Sequence, residues 1–151
     1  MRDAFGSTFM FKLIIIFIVF YVSFMTIAVS YAKVFRIKNG VIDILEQNQY
    51  NSSIRSDWDN IVEGKVDPYL ESFAYRYGDK KNLEDKCNSS YSDDNRSVKK
   101  FSQNGVCIAR TDLGNNRVSY TVVVYLVIQF PLFKQDFVIP ITGETTAIKT
   151  L

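Results

Sequence analysis

The chain contains no histidine and only two cysteines among its 151 residues. Without His it cannot by itself build a Ser-His-Asp or Cys-His nucleophile, a His-bearing zinc site or a His-ligated haem. A surplus of one charge is also missing. Lys and Arg number 18 against 16 Asp and Glu, and a net charge of +2 is too small to draw a nucleic acid. There is no glycine-rich phosphate loop and no acidic cluster with recognised metal spacing. Asp93-Asp94 and Asp57/Asp59 are carboxylate pairs only by adjacency, and they read as solvated loop acids. No catalytic residue, cofactor or metal ligand is therefore expected. Proline is scarce, three in all, so long unbroken elements are possible. At 47% hydrophobic and 23% charged residues, the chain has the means to fold.

What the chain has is one dominant stretch, Phe9 to Gln47. From Leu13 to Ala32 no residue is charged, and about twenty such residues at about 1.5 Å rise span a bilayer core of roughly 30 Å. The run exceeds the apolar core of a cleaved signal peptide, and the bulky Tyr31 argues against a cleavage site after Ala32. Beyond it, Lys33 to Gln47 becomes amphipathic without a turn signal. Val34, Ile37, Val41, Ile44 and Leu45 recur at three- and four-residue spacing between charged positions. The reading is one helix, membrane first and then a polar-sided stalk. The plainer alternative is a signal-anchor followed by an unrelated soluble helix. Within the span, Ser23, Thr26 and Ser30 share a face, which makes them candidates for helix–helix contact in lipid. The alternative for hydroxyls there is bonding back to their own helix carbonyls.

The remainder fits one small domain, and the division expected is residues 1–8 as a preface, 9–47 as span and stalk, and 48–151 as the domain. Ser53 or Ser56 can cap a second helix carrying Trp58, Ile61 and Val62. Asp67-Pro68 restarts it, with Asp67 as cap and Pro68 at the first helical position. Leu70, Phe73, Ala74 and Tyr77 continue it, and Gly78 ends it. Asp79 to Asn104 mixes charges of both signs and reads as a solvated loop. Asn51, Asn88 and Asn95 each begin an N-x-S pattern, which in so Asn- and Ser-rich a region is expected by chance.

From Val106 the periodicity becomes two. The cluster Asp112 to Asn116 reads as a turn. Val118, Tyr120, Val122, Val124, Leu126, Ile128 and Phe130 then share one apolar face, and the mixed opposite face is expected to be half open to water. As a second membrane helix, Val118 to Phe133 is short and rich in β-branched residues, so a strand is preferred. A turn over Pro131 to Gln135 leads to a partner strand through Phe137, Ile139 and Ile141. Pro140 suggests an edge position there. Gly143 to Thr146 is expected to be a turn or bulge. The strands' apolar faces need a cover, and the stalk residues Val34, Ile37, Val41 and Ile44 supply it. The expected fold is α+β, a long N-terminal helix packed on a small antiparallel sheet.

Cys87 and Cys107 are too far apart for a C-x-x-C motif and too few for a zinc site. They are expected to form a structural disulfide in an oxidising compartment. The alternative is two unrelated thiols in a cytosolic domain. Orientation is read as N-terminus inside and domain outside on the strength of that disulfide. The positive charges, with Arg2 and Lys12 before the span and Lys33, Arg36 and Lys38 after it, lean the other way.

The join Tyr31-Ala32-Lys33-Val34-Phe35-Arg36-Ile37-Lys38-Asn39 and the closing hairpin Phe137-Val138-Ile139-Pro140-Ile141-Thr142-Gly143-Glu144-Thr145 give the chain an architecture that resembles type IV pilins and pseudopilins. More narrowly, it resembles the TadE-like minor pseudopilins of tight-adherence pilus systems. The resemblance implies a pilin-like fold and a single-pass protein of the bacterial cell membrane with an extracytoplasmic domain. Its implied partners are the membrane and other pilus or secretion-assembly proteins, in a homo- or hetero-oligomer. Prepilins carry a leader ending in Gly and a Glu at the fifth mature position. Here Gly6 would end the leader, and the fifth position is Phe11, so an accessory or tip role is implied rather than that of the bulk subunit. The competing expectation is a membrane-anchored extracellular ligand-binding or sensor domain.

Overall fold

In the computed structural model, residues 2–49, 58–73, 80–90, 97–129 and 136–149 are described. One helix, α1 (Arg2–Gln49), runs 48 residues. The preface expected at residues 1–8 is thus not separate, since helix is already present at Arg2. No proline breaks this stretch, and a lone Gly6 costs a helix only about 1 kcal/mol. Most of α1 from Thr8 to Ala32 is exposed, and the segment Thr8–Asn48 contains a run long and apolar enough to cross a membrane.

The sheet is an antiparallel meander. Strands β1 (Ser97–Phe101), β2 (Val106–Gly114), β3 (Arg117–Gln129) and β4 (Asp136–Glu144) lie in that order, and the short β5 (Ile148–Lys149) pairs with the start of β3. Strand β3 is the centre, and its residues from Val118 to Ile128 are buried or half-buried on both faces. The β2–β3 turn places Asn115 and Asn116 at φ 54° and 56°, the left-handed pair a type I′ hairpin requires and Asn tolerates. The Asp112 carboxylate accepts the Gly114 N–H at 3.0 Å and steadies the bulge beside it. Pro140 stands opposite Tyr125 on β4. Among the described strands β4 pairs only with β3, so the missing N–H lies on an edge.

On one face of the sheet, Val34, Ile37, Val41 and Leu45 of α1 are buried with Val106, Ile108, Val118, Tyr120, Val122, Val124 and Leu126. The rest of this core comes from α2 (Trp58–Ile61), the π-helical turn Val62–Val66 and α3 (Asp67–Ser72). Val62, Val66 and Leu70 recur every four residues, and all are buried. Four residues is about one helical turn, so the three side chains share one face.

The opposite face departs from expectation. It is not half open, because α4 (Lys80–Ser90) covers it, burying Leu83 and Cys87 with Cys107, Val123 and Tyr125. The expected loop over Asp79 to Asn104 therefore contains this helix and the edge strand β1. Its polar composition hides two apolar anchors, Leu83 and Cys87, at the i, i+4 spacing of one helix face. The lysines of β1 suit an edge strand. A second correction concerns Asp67. It is not a helix cap: Val66 already has helical dihedrals, and no side-chain bond caps α3. Because the π-turn runs directly into α3, there are few free N–H groups to cap. The expected features at Ser53, Ser56, Ala74, Tyr77, Gly78, Phe130 and Pro131 to Gln135 lie outside the described residues.

Ile37 is fully buried at the helix–sheet seam, while its neighbour Asn39 is exposed. Ile37→Ala should cost about 2–5 kcal/mol of stability. Asn39→Ala should stay within about 0.5 kcal/mol. Urea unfolding of the two variants in detergent, followed by near-ultraviolet dichroism, measures the contrast.

Candidate functional site

The feature that sets this chain apart is a single line of α1 side chains running from the apolar segment into the domain. Ser23, Ile27, Ser30, Val34, Ile37, Val41 and Leu45 recur at four and three residues, the repeat of a helix seam. Val34 to Leu45 are buried, and Ser23, Ile27 and Ser30 are half-buried among exposed neighbours. Of the residues expected at the stalk–sheet seam, Val34, Ile37 and Val41 lie inside it. Ile44 lies at its margin, half-buried, and Leu45 takes the inner position. One position's difference is 100° of helix rotation, so only one of two adjacent residues can face the sheet squarely.

The expected helix–helix residues divide. Thr26 is exposed, whereas Ser23 and Ser30 fall on the seam line. The Ser23 hydroxyl donates to the Val19 carbonyl at 2.8 Å and that of Thr26 to the Val22 carbonyl at 2.9 Å. Both hydroxyls are thus satisfied within their own helix, the arrangement that lets them sit in an apolar run. Ile27 was not expected in this set. Its signal was the four-three spacing continued backwards from Val34.

Polar ties fix the domain to the helix end. The Glu46 carboxylate accepts the Thr146 N–H at 3.0 Å and the Thr146 hydroxyl at 3.2 Å. Thr145, buried, accepts the Tyr120 N–H on its hydroxyl and donates its own N–H to the Tyr120 carbonyl, each at 2.9 Å. Gly143 and Glu144, expected in a turn or bulge, are instead the last paired residues of β4, opposite Val122 and Thr121, and the short link through Thr145 and Thr146 leads along β3 to β5. Asp67 accepts the buried Ser102 hydroxyl, and Asn104 donates to the Asp67 carbonyl at 3.2 Å. This joins α3 to the β1–β2 turn. Lys65 donates to Asn48, and Lys100 pairs with Glu63 at 2.9 Å. The last pair is largely exposed and contributes at most about 1 kcal/mol.

Gly40 was visible in the sequence only as the lone glycine of the stalk. A Cβ there would stand 1.8 Å from Tyr69 Oη and 2.3 Å from Cζ, so the glycine lets the α3 phenol lie directly on the α1 backbone. Burial raises the Tyr69 pKa above its ordinary value of 10.0. Arg36 opposes that shift and Asp43 reinforces it, from one turn on either side of Gly40.

Cys87 and Cys107 are joined by a disulfide with Cα atoms 5.7 Å apart, and both are fully buried. The bond clamps α4 to β2. Among the described residues no group of three or more His, Cys, Asp or Glu side chains could hold a metal ion. Asp93, Asp94 and Asp57 lie outside the described residues. Comparison with protein-family models, with characterised proteins and with solved structures finds no match.

Replacing Cys87 and Cys107 by Ser should lower stability by about 3 kcal/mol, the worth of closing a loop of about 20 residues. Non-reducing mass spectrometry and urea melts of the same sample check both the bond and its contribution. Gly40→Ala should destabilise, because Tyr69 must swing away. In a Tyr69→Leu background the same change should stabilise, by up to about 1 kcal/mol of helix propensity. A raised folded-state pKa favours the neutral phenol, so its stabilisation is present below pH 10.0 and is lost as pH rises through the folded value. Melts at increasing alkaline pH should show a loss that Tyr69→Phe removes.

Proposed function

We propose that this chain is a membrane-anchored, non-catalytic subunit of a bacterial pilus or secretion assembly, accessory rather than bulk. The observation that carries the reading is continuity. The apolar segment and the sheet-bearing segment are one helix, Arg2–Gln49, so the domain is rigidly coupled to its anchor. A tethered receptor has no need of such coupling, and a flexible linker would serve it better. A subunit that must hold its domain at a fixed angle to neighbours in the membrane does need it. The disulfide supports an extracytoplasmic domain, since such bonds persist in oxidising compartments. The resemblance of the helix join and closing hairpin to those of pilins also favours an assembly role.

The membrane segment would then contribute contacts as well as anchorage. In lipid, small and hydroxylated positions allow close helix approach, and the exposed Thr26 is available beside Ser23 and Ser30. The test exchanges Leu13–Ala32 for an unrelated apolar span of equal length in the native host. Cross-links to neighbouring membrane proteins and surface filament formation should both be lost, while membrane insertion and the disulfide persist. Full retention of cross-links and filaments would overturn the assembly role and favour an anchored binding domain.

A further inference from the structure

The helix and the sheet keep pace with each other, and this places one end of the sheet against the apolar segment. Lys38 and Ile42 lie against Gly143 of β4, since a Cβ there would meet both side chains within 3 Å. Further along, Glu46 meets Thr146. From the Lys38–Ile42 midpoint to Glu46, α1 climbs about 9 Å. Gly143 to Thr146 covers about 10 Å. So α1 runs alongside β4 in the same direction. Traced backwards at these rates, Ile139 comes level with Tyr31, and Phe137 comes level with Ile27. Both levels fall within the last turns of the uncharged run Leu13–Ala32.

Val34 gives the same result independently. It is 4% exposed, buried in the sheet core, yet it lies only about 3 Å of helix rise beyond Ala32. The domain begins where the span ends, with no stand-off.

Among the described residues, four apolar or aromatic side chains face that level and are exposed. Phe137 and Ile139 pair with Ile128 and Leu126, which puts them on the α1 side of the sheet. They are 49% and 46% exposed. Tyr31 and Phe35 share a helical line with Lys38 and Ile42, the pair that touches β4, and so lie on the same side. They are 51% and 43% exposed. Their rings stack at 6.4 Å between centroids, and the Lys38 ammonium sits 4.3 Å from the Phe35 centroid. Read outward from the span, this side passes from the uncharged run to Tyr31 and Phe35 and then to Lys38. That is the order of acyl chain, interface and phosphate in a bilayer leaflet.

We infer that the β4 edge, through Phe137 and Ile139 together with Tyr31 and Phe35, rests in the interfacial layer of the bilayer, with Lys38 toward lipid phosphate. The argument is continuity with the membrane segment and charge complementarity to phosphate, and it rests on the membrane-anchored reading above. The domain therefore lies on the membrane surface, and what has the sequence of a stalk holds nothing away from it.

The test uses the full chain in phosphatidylcholine–phosphatidylglycerol vesicles containing lipid brominated at a shallow acyl position. Trp58→Phe removes the native indole, and single tryptophans are placed by F137W, I139W, F20W and L113W. Where Trp58→Phe does not fold, the same positions are read as differences against the parent. F20W reports the span. L113W, exposed at the opposite end of the sheet, reports water. F20W, F137W and I139W should each be quenched several-fold, and L113W unaffected. If F20W is quenched while F137W and I139W are not, the docking is overturned and the anchor stands. Blue-shifted but unquenched emission at Phe137→Trp, which identifies a protein partner on this edge, likewise overturns it. No quenching at F20W would overturn the membrane reading and the docking together.

Discussion

Everything in this chain hangs on the seam between α1 and β3. Strand β3 cannot hide both faces by itself, and the amphipathic half of α1 needs a cover for its apolar line. Fully burying a Val, Ile or Leu side chain contributes about 1.5–3 kcal/mol. Val34, Ile37, Val41 and Leu45 together therefore contribute on the scale of the whole stability of a small domain. The hydrogen bonds around the seam, Glu46 to Thr146 and Thr145 to Tyr120, add about 1 kcal/mol apiece at best. Their role is register: they fix which turn of helix meets which strand residue.

The second face of β3 follows another logic. Val123 and Tyr125 face α4, a helix whose buried apolar contribution comes from Leu83 and Cys87. So little area cannot hold an eleven-residue helix against its conformational entropy. The disulfide makes up the difference by fixing Cys87 at Cys107 in the middle of the sheet. The bond and the small core are complementary, because each is too weak without the other.

The main elements were legible in the sequence because their patterns are strong. Strand β3 carries an apolar residue at every second position from Val118 to Ile128, and α1 carries first a continuous and then a four-three apolar pattern. The cysteine pair was legible by elimination, with no histidine and no third cysteine to make another site. Helix α4 was not legible, because its residues are mostly charged or polar and its two anchors are separated by one turn. The π-turn was not legible either: a four-residue valine spacing fits an α-helix as well, and only the packing target decides between them. Tyr69 over Gly40 is a long-range contact that no local pattern encodes. As for function, the sequence shows a candidate span that runs into an amphipathic stalk and carries no motif that names a reaction, so the reading rests on architecture.

The stalk half of α1 is a poor helix in its own right. Val34, Ile37, Val41, Ile42 and Ile44 are β-branched, and Gly40 alone costs about 1 kcal/mol relative to Ala. A helix of that length must also meet its nucleation cost in water. Two neighbours relieve it. On one side, the sheet buries its apolar line. On the other, α1 continues without a break into the apolar segment, which on the membrane-anchored reading proposed above lies in lipid, where every backbone N–H and C=O has to be satisfied internally. The stalk then extends a helix already formed and needs no nucleus of its own. The β-branched Val34, Ile37 and Val41 that weaken the free helix are buried in the sheet core, so the stalk's helical order depends on both neighbours.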